Sequence, residues 1–290
     1  MSMFTGSIVA LATPFKNGGI NYETLKKLFE FHKKNGTDAI LLSGTTGESP
    51  TLSLDEKIGL FSFGKKNTEI PIIAGTGNYN TKETIELTKK AEEIGVDAAL
   101  VITPYYNKPT QNGLYAHFKK IAENTRLPII VYNVPGRTGV SISPEIVAEL
   151  SRIPNIVGIK EASGSLKQCF EIKKKTEKDF ILLSGDDALT IPIMSIGGKG
   201  VISVSANIVP EMVREMVQVY LSGDLDKAME LHYKLLPLTD AMFVETNPIP
   251  VKTALGLIGF DMGPLRLPLV EPGEKSLETI MNELKKIGAM

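Results

Sequence analysis

Eight short apolar runs, rich in β-branched residues, recur along the chain with helix-length amphipathic segments between them. They are Ser7 to Ala12, Ala39 to Ser43, Pro71 to Gly75, Ala98 to Thr103, Pro128 to Asn133, Ile156 to Lys160, Ile181 to Gly185 and Gly200 to Ser205. Their starts lie roughly 20 to 30 residues apart, the length of a strand, a crossover helix and two loops. Eight such units predict a closed parallel (β/α)8 TIM barrel. The intervening segments carry helix-start signals, with Asn80-Thr81-Lys82-Glu83 reading as a capping box and Ser143-Pro144-Glu145 as a capped start with proline in the first turn. A doubly wound open sheet is the competing topology, but no G-x-G-x-x-G follows the first run. The barrel accounts for residues 1–224. Residues 225–290 are left as a C-terminal helical extension packed on it, with helices expected over 225–238 and 251–258 and Asn247-Pro248-Ile249-Pro250 as a rigid break between them.

Charge excludes some partners. With 32 basic and 33 acidic residues among 290, the formal charge of −1 gives no electrostatic case for nucleic acid or an anionic membrane. No run approaches the ~18 to 20 apolar residues of a membrane span, and Met1-Ser2-Met3-Phe4-Thr5-Gly6 shows no basic segment followed by an apolar one. The single cysteine, Cys169, fits a reducing compartment and reads as a small core-facing helix residue, so a cytoplasmic location is expected. His32, His117 and His232 are scattered through helical segments without metal-ligand spacing, and no metal is expected.

Chemistry-bearing residues fall just after different runs, where the strand tips of a barrel form one mouth. Lys160 ends Ile156-Val157-Gly158-Ile159-Lys160, and alternation places it with Gly158 on the inner face, with Val157 and Ile159 toward the helices. A lysine buried at a strand tip loses hydration and becomes a nucleophile for carbonyl carbon. Ser43-Gly44-Thr45-Thr46-Gly47-Glu48 follows the second run, and its glycines let backbone N–H groups and two threonine hydroxyls approach a carboxylate. The same stretch also reads as a tight turn with a helix cap. A phosphate grip is disfavoured because the seventh run leads into Asp186-Asp187. Tyr105-Tyr106 and Tyr132 present phenols that can pass protons through hydrogen bonds, and Arg137 in a Pro-Gly-Arg-Thr turn can grip a carboxylate bidentately.

Taken together, Gly44-Thr45-Thr46-Gly47-Glu48, Tyr105-Tyr106-Asn107-Lys108-Pro109-Thr110, Tyr132-Asn133-Val134-Pro135-Gly136-Arg137-Thr138 and Gly158-Ile159-Lys160-Glu161 resemble the dihydrodipicolinate synthase family, in the N-acetylneuraminate lyase group of class I pyruvate aldolases. The resemblance extends to Gly200-Val201-Ile202-Ser203-Val204 and Asn247-Pro248-Ile249-Pro250-Val251-Lys252. It implies a lyase that joins pyruvate to L-aspartate 4-semialdehyde through a Schiff base on Lys160, the committed step of diaminopimelate and lysine biosynthesis, without metal or organic cofactor. It further implies that Thr46 holds the pyruvate carboxylate, that Thr45, Tyr132 and Tyr106 relay protons, that Arg137 binds the semialdehyde carboxylate, and that Gly185 and Ile202 line the pocket. Tyr106 would reach a neighbouring subunit's site, in a homotetramer built as a dimer of dimers. Leu54 and Lys57 stand where lysine-inhibited relatives carry histidine, and Tyr79 where an amide is usual, so feedback inhibition is expected to be weak. N-acetylneuraminate lyase and 2-keto-3-deoxygluconate aldolase share the lysine and tyrosine, and Arg137 favours the synthase. A keto-acid-binding barrel without catalysis is the rival from another class.

Overall fold

A computed structural model describes residues 4–290. Among these, eight parallel strands close into a barrel: β1 Gly6–Ala10, β2 Ala39–Leu42, β3 Ile72–Gly75, β4 Ala98–Ile102, β5 Ile129–Asn133, β6 Ile156–Glu161, β7 Ile181–Ser184 and β8 Gly200–Ser203. Each strand pairs with its chain neighbour, and β8 returns to β1 in register Gly6↔Gly200 through Val9↔Ser203. The strands read as continuous apolar runs because both faces are covered. Ile8, Leu41, Leu100, Ile130, Leu183 and Ile202 fill the interior. Val9, Ile40, Val101, Val131, Ile159 and Leu182 pack outward under the helices.

The helices between strands are α1 Tyr22–Lys34, α2 Leu54–Asn67, α3 Thr81–Ile94, α4 Gln111–Ala122, α5 Pro144–Leu150, α6 Leu166–Lys175, α7 Thr190–Ser195 and α8 Pro210–Leu221. Asn80 caps α3 by accepting from the N–H groups of Lys82 and Glu83. The reciprocal bond differs from a capping box: Glu83 accepts from the side chains of Asn78 and Asn80, while the Asn80 N–H goes to Asn78. Ser143 caps α5 as expected. Cys169 is buried on α6, and burial pushes its thiol up to about 12.

The alternation expected in β6 breaks at one residue. Between Ile129↔Ile156 and Ile130↔Gly158 the ladder shifts, so Val157 is an extra residue and joins the interior cluster instead of facing the helices. From Gly158 onward the expected faces hold, with Tyr132 opposite Lys160. Gly158 is needed for approach as much as for space, since a Cβ there would lie 2.6 Å from the carbonyl oxygen of Ile181 on β7.

Beyond the barrel, α9 Leu225–Ala241 runs through Pro237, three residues past its expected end. It is followed by α10 Ile249–Leu257 and by α11 Glu274–Ile287, which the sequence reading did not place. Leu231, Leu238, Val251, Leu255, Ile280 and Leu284 belong to the same apolar cluster as the outward faces of the strands. A small antiparallel hairpin, Phe15–Lys16 with Gly19–Ile20, also went unread, and its Phe15 N–H donates to Met262 beyond α10. No helix of the described residues is long and apolar enough to cross a membrane.

Candidate active site

The strand tips enclose a cavity of about 360 Å³ whose wall includes Lys160, Tyr132, Thr45, Thr46, Arg137 and Gly185. Lys160 is 5% exposed. Its Nζ lies 4.4 Å from the centroid of the Tyr132 ring, directly across the β5–β6 pair. Gly185, just past β7, makes room for this lysine: a Cβ there would lie 3.0 Å from Lys160 Cε and 3.1 Å from Cγ. The backbone around the lysine is braced from outside. Glu161 is buried on the opposite face, accepting from Asn133 Nδ2 at 3.0 and 3.1 Å, Gln168 Nε2 at 3.0 Å and the Ser163 N–H at 2.7 Å. Desolvation raises its pKa in spite of these donors. Asp187 is likewise buried, holds Ser203 Oγ and the Val204 N–H, and is raised by desolvation.

The turn after β2 is tight. Gly47 N–H donates to Gly44 and Glu48 N–H to Thr45, while Thr13 Oγ1 donates to the Gly47 carbonyl. A Cβ on Gly47 would fall 3.1 Å from the Leu11 carbonyl oxygen, so glycine lets the turn sit close against the chain just past β1. Thr46 is buried, and its Oγ1 accepts from Asn247 Nδ2 at 3.1 Å. Arg137 lies in a four-residue helical turn, exposed on the rim, where its Nη2 donates to the Asn247 carbonyl at 3.0 Å. Asn247 therefore touches both the threonine and the arginine. Its Oδ1 is buried without a hydrogen-bond partner at the cavity wall.

Two named residues lie apart. Ile202 is fully buried in the barrel interior and does not line the cavity, where Val204 does. Tyr106 is 93% exposed, at φ 68, and lies outside the cavity lining. Sequence reading missed Asn247 as a site residue, treating it as a break, and missed the contribution of α9 through Thr239 and Asp240. The family resemblance of Asn247-Pro248-Ile249-Pro250-Val251-Lys252 was the signal available for Asn247.

A second, smaller cavity of about 80 Å³ backs onto the first and shares Thr45 and Tyr132 with it; Ser49, Lys57 and Tyr105 complete its far side. Burial lowers the pKa of Lys57 and raises that of Tyr105. Among the described residues no group of three or more histidine, cysteine, aspartate or glutamate side chains is placed to hold a metal ion.

Comparison with known proteins adds to this geometry. The 4-hydroxy-tetrahydrodipicolinate synthase of Thermoanaerobacter sp. (strain X514) is 51% identical over 293 residues, covering 100% of this chain and 99% of that protein. The crystal structure of dihydrodipicolinate synthase from Aquifex aeolicus superimposes with a TM-score of 0.97 at 49% identity, over 99% of each chain. A monomeric dihydrodipicolinate synthase variant matches with a TM-score of 0.97 at 47% identity, over 100% of this chain and 98% of that one. The family model described as the dihydrodipicolinate synthetase family matches residues 3–287, and the chain belongs to that family.

Proposed function

We propose that the mouth cavity is where this chain, a lyase of its family, condenses pyruvate with L-aspartate 4-semialdehyde to give 4-hydroxy-tetrahydrodipicolinate, the committed step of diaminopimelate and lysine biosynthesis. The observation that carries the reading is Lys160, buried at a strand tip beside Tyr132 with Gly185 clearing its path.

Lys160 Nζ adds to the ketone carbon of pyruvate, and loss of water gives an imine. The imine nitrogen draws electrons as a methyl proton leaves, giving an enamine. The enamine carbon attacks the aldehyde of the second substrate, whose oxygen takes up a proton. The amine of that substrate then adds to the imine carbon and expels Lys160, closing the ring. Thr46 and the adjacent backbone N–H hold the pyruvate carboxylate, fixing the ketone against the amine. Thr45, Tyr132 and Tyr106 move protons between the imine and solvent. Arg137 on the rim binds the semialdehyde carboxylate, and the free Asn247 Oδ1 accepts from an N–H of its amine. Gly185 shapes the floor, and Ile202 supports it from the layer beneath.

Tyr106 cannot serve this relay from its exposed position within one chain. A second copy placing its Tyr106 over the cavity completes the site, in a homotetramer built as a dimer of dimers. A monomeric dihydrodipicolinate synthase variant shares this fold, which supports a reading in which assembly bears on the relay rather than on folding. The chain works in the cytoplasm, with no nucleic acid or membrane partner.

The test is semialdehyde-dependent loss of pyruvate, with N-acetylneuraminate and 2-keto-3-deoxygluconate cleavage run alongside and Lys160→Ala as control. Loss that vanishes in the variant supports the reading. Pyruvate release from a sugar acid would move the chain to another aldolase activity.

A further inference from the structure

We propose that the buried ion pair Glu48–Lys252 is a positioning device for pyruvate: it holds the Thr45-Thr46 turn in its carboxylate-binding shape from outside the cavity. The proposal rests on the reading of the mouth cavity as the pyruvate site.

Glu48 follows Thr46 by two residues and adopts φ 55, a left-handed conformation that a residue with a side chain avoids unless its surroundings impose it. Those surroundings come from the far end of the chain. Its Oε1 accepts from Lys252 Nζ at 2.7 Å and its Oε2 from the Arg266 N–H at 3.0 Å. Lys252, on α10, also donates to the Pro264 carbonyl at 3.0 Å and lies 4.0 Å over the Phe15 ring. The two side chains are 1% and 3% exposed. Neither lines the catalytic cavity, so neither touches substrate.

A buried ion pair seldom outperforms a packed apolar pair as a source of stability, because both charges lose water. What this pair supplies is direction. It fixes the carboxylate of Glu48, and Glu48 is tied to the turn through its own N–H to Thr45 and through Thr51 Oγ1 to its carbonyl. Asn247, five residues before Lys252, grips the same turn at Thr46. Because Asn247 Nδ2 occupies one lone pair of Thr46 Oγ1, the threonine proton is left to be given to a carboxylate. Releasing Glu48 lets the turn relax toward ordinary backbone angles and takes Thr46 and its N–H off that target, while Arg137, held by the Asn247 carbonyl rather than by the turn, stays in place.

The experiment traps the Lys160 imine with borohydride in pyruvate alone and reads the half-saturating pyruvate concentration from the intact mass of the reduced adduct. It compares wild type, Lys252→Met, Glu48→Gln and the double variant Glu48→Met/Lys252→Met. Lys33→Met, which removes the exposed Lys33–Glu69 pair, is the control. Thermal midpoints are measured for each, together with KM for semialdehyde. The single variants are expected to lower the midpoint and raise half-saturating pyruvate about tenfold, the scale of one lost charged hydrogen bond. The double variant is expected to recover the midpoint but not the pyruvate affinity, with semialdehyde KM within about twofold of wild type. Recovery of both, unchanged trapping in the singles, or failure of every variant to fold would assign the pair to the fold alone and overturn the proposal. Absence of trapping in wild type would remove the functional reading beneath it.

Discussion

The loop after β2 and the loop after β4 reach the same mouth, and both contain side-chain-bearing residues with positive φ: Ser43 and Glu48 in one, Tyr106 and Lys108 in the other. In the first, the unusual backbone is held by Lys252 and Arg266 through Glu48, by Asn247 through Thr46 and by Thr13 through Gly47, and Ser43 and Glu48 are buried. In the second, Asn107 Nδ2 donates to the Tyr79 carbonyl and the Tyr79 and Tyr105 rings meet edge to face at 5.1 Å, but Tyr106 projects into solvent. Backbone strain persists where the environment over-determines it. The β2 loop has that environment within one chain, and the β4 loop does not. Imine formation should therefore be a property of the single chain, and proton relay a property of the assembly.

The largest effect expected is from the lysine that shares its cavity with Thr45 and Thr46 of the β2 loop. Lys160→Ala should lower kcat/KM by at least about a thousandfold and abolish borohydride trapping without lowering the thermal midpoint, since the variant removes a buried amine from a cavity wall. A midpoint drop large enough to account for the lost activity would mean that the lysine is structural. Gly185→Ala comes next. The new methyl would sit 2.7 Å from Ala162 Cβ as well as against the lysine stem, so the strand tip and Lys160 must shift to admit it. We expect about a hundredfold loss in trapping rate, the cost of a misplaced reactive group, and wild-type trapping would show that the stem has room to move.

Tyr132→Phe against Tyr106→Phe separates a relay phenol fixed in β5 within one chain from one that depends on a second copy. Both should lower steady-state turnover by about a hundredfold, the usual size of a general acid–base contribution. Only the Tyr106 position should be sensitive to assembly. Diluting wild type until sedimentation shows monomer should reproduce the Tyr106→Phe turnover while pyruvate trapping continues. Full turnover in the monomer would place Tyr106 outside the relay.

The barrel was legible because its physics is local and repetitive. A strand covered on both faces must be apolar throughout, and the helix between two parallel strands must be amphipathic, so alternation of the two textures along the chain is nearly a count of units. Val157 was not legible, since a bulge is decided by which pairing of β5 and β6 packs best, and nothing in Ile156-Val157-Gly158 marks it. The site divides in the same way. Lys160, Tyr132 and Thr46 sit in strands and turns whose sequence dictates their placement. Asn247, Lys252 and Asp187 act through partners tens to hundreds of residues away, and Glu48 looked like the end of a turn because its ligands lie beyond residue 250. The hairpin at Phe15 is similar: two-residue strands carry no periodic signal, and its role is to put an aromatic face under Lys252 and Arg266.

Two buried histidines contribute to the acid response of the scaffold that carries both loops. Burial pushes His32 down to about 3 and His117 to about 4, from an ordinary value of 6.5. His32 Nδ1 is paired with Thr37 Oγ1 and His117 Nδ1 with Thr81 Oγ1. The unfolded chain takes up protons below about pH 6.5 that the folded chain refuses, so stability present above that pH is lost as it falls toward about 4 and then 3. His32→Asn, which keeps a polar atom near Nδ1, should start from a lower midpoint but show a shallower decline below pH 6.5. An unchanged slope in the variant would remove His32 from the acid response.

The smallest expected effect concerns the cavity behind the β2 loop. Lys57 borders it and is partly buried, with burial lowering its pKa and only Glu83 opposing that shift. Leu54, one helical turn earlier on α2, is exposed and offers no hydrogen bond. An amino acid with a cationic side chain entering here would meet a like charge within a few ångströms and no imidazole to accept from it. Tyr79 adds bulk where it is already engaged with Tyr105. Millimolar L-lysine should therefore change turnover by less than about twofold, a ΔΔG of under half a kcal/mol. Lys57→His with Leu54→His should increase sensitivity if charge and missing acceptors are the reason. A sigmoidal loss of activity in wild type at that concentration would show instead that the cavity accepts the cation despite Lys57. The β2 loop, rigid from the Glu48 side, would then have to be adjustable from the Ser49 side.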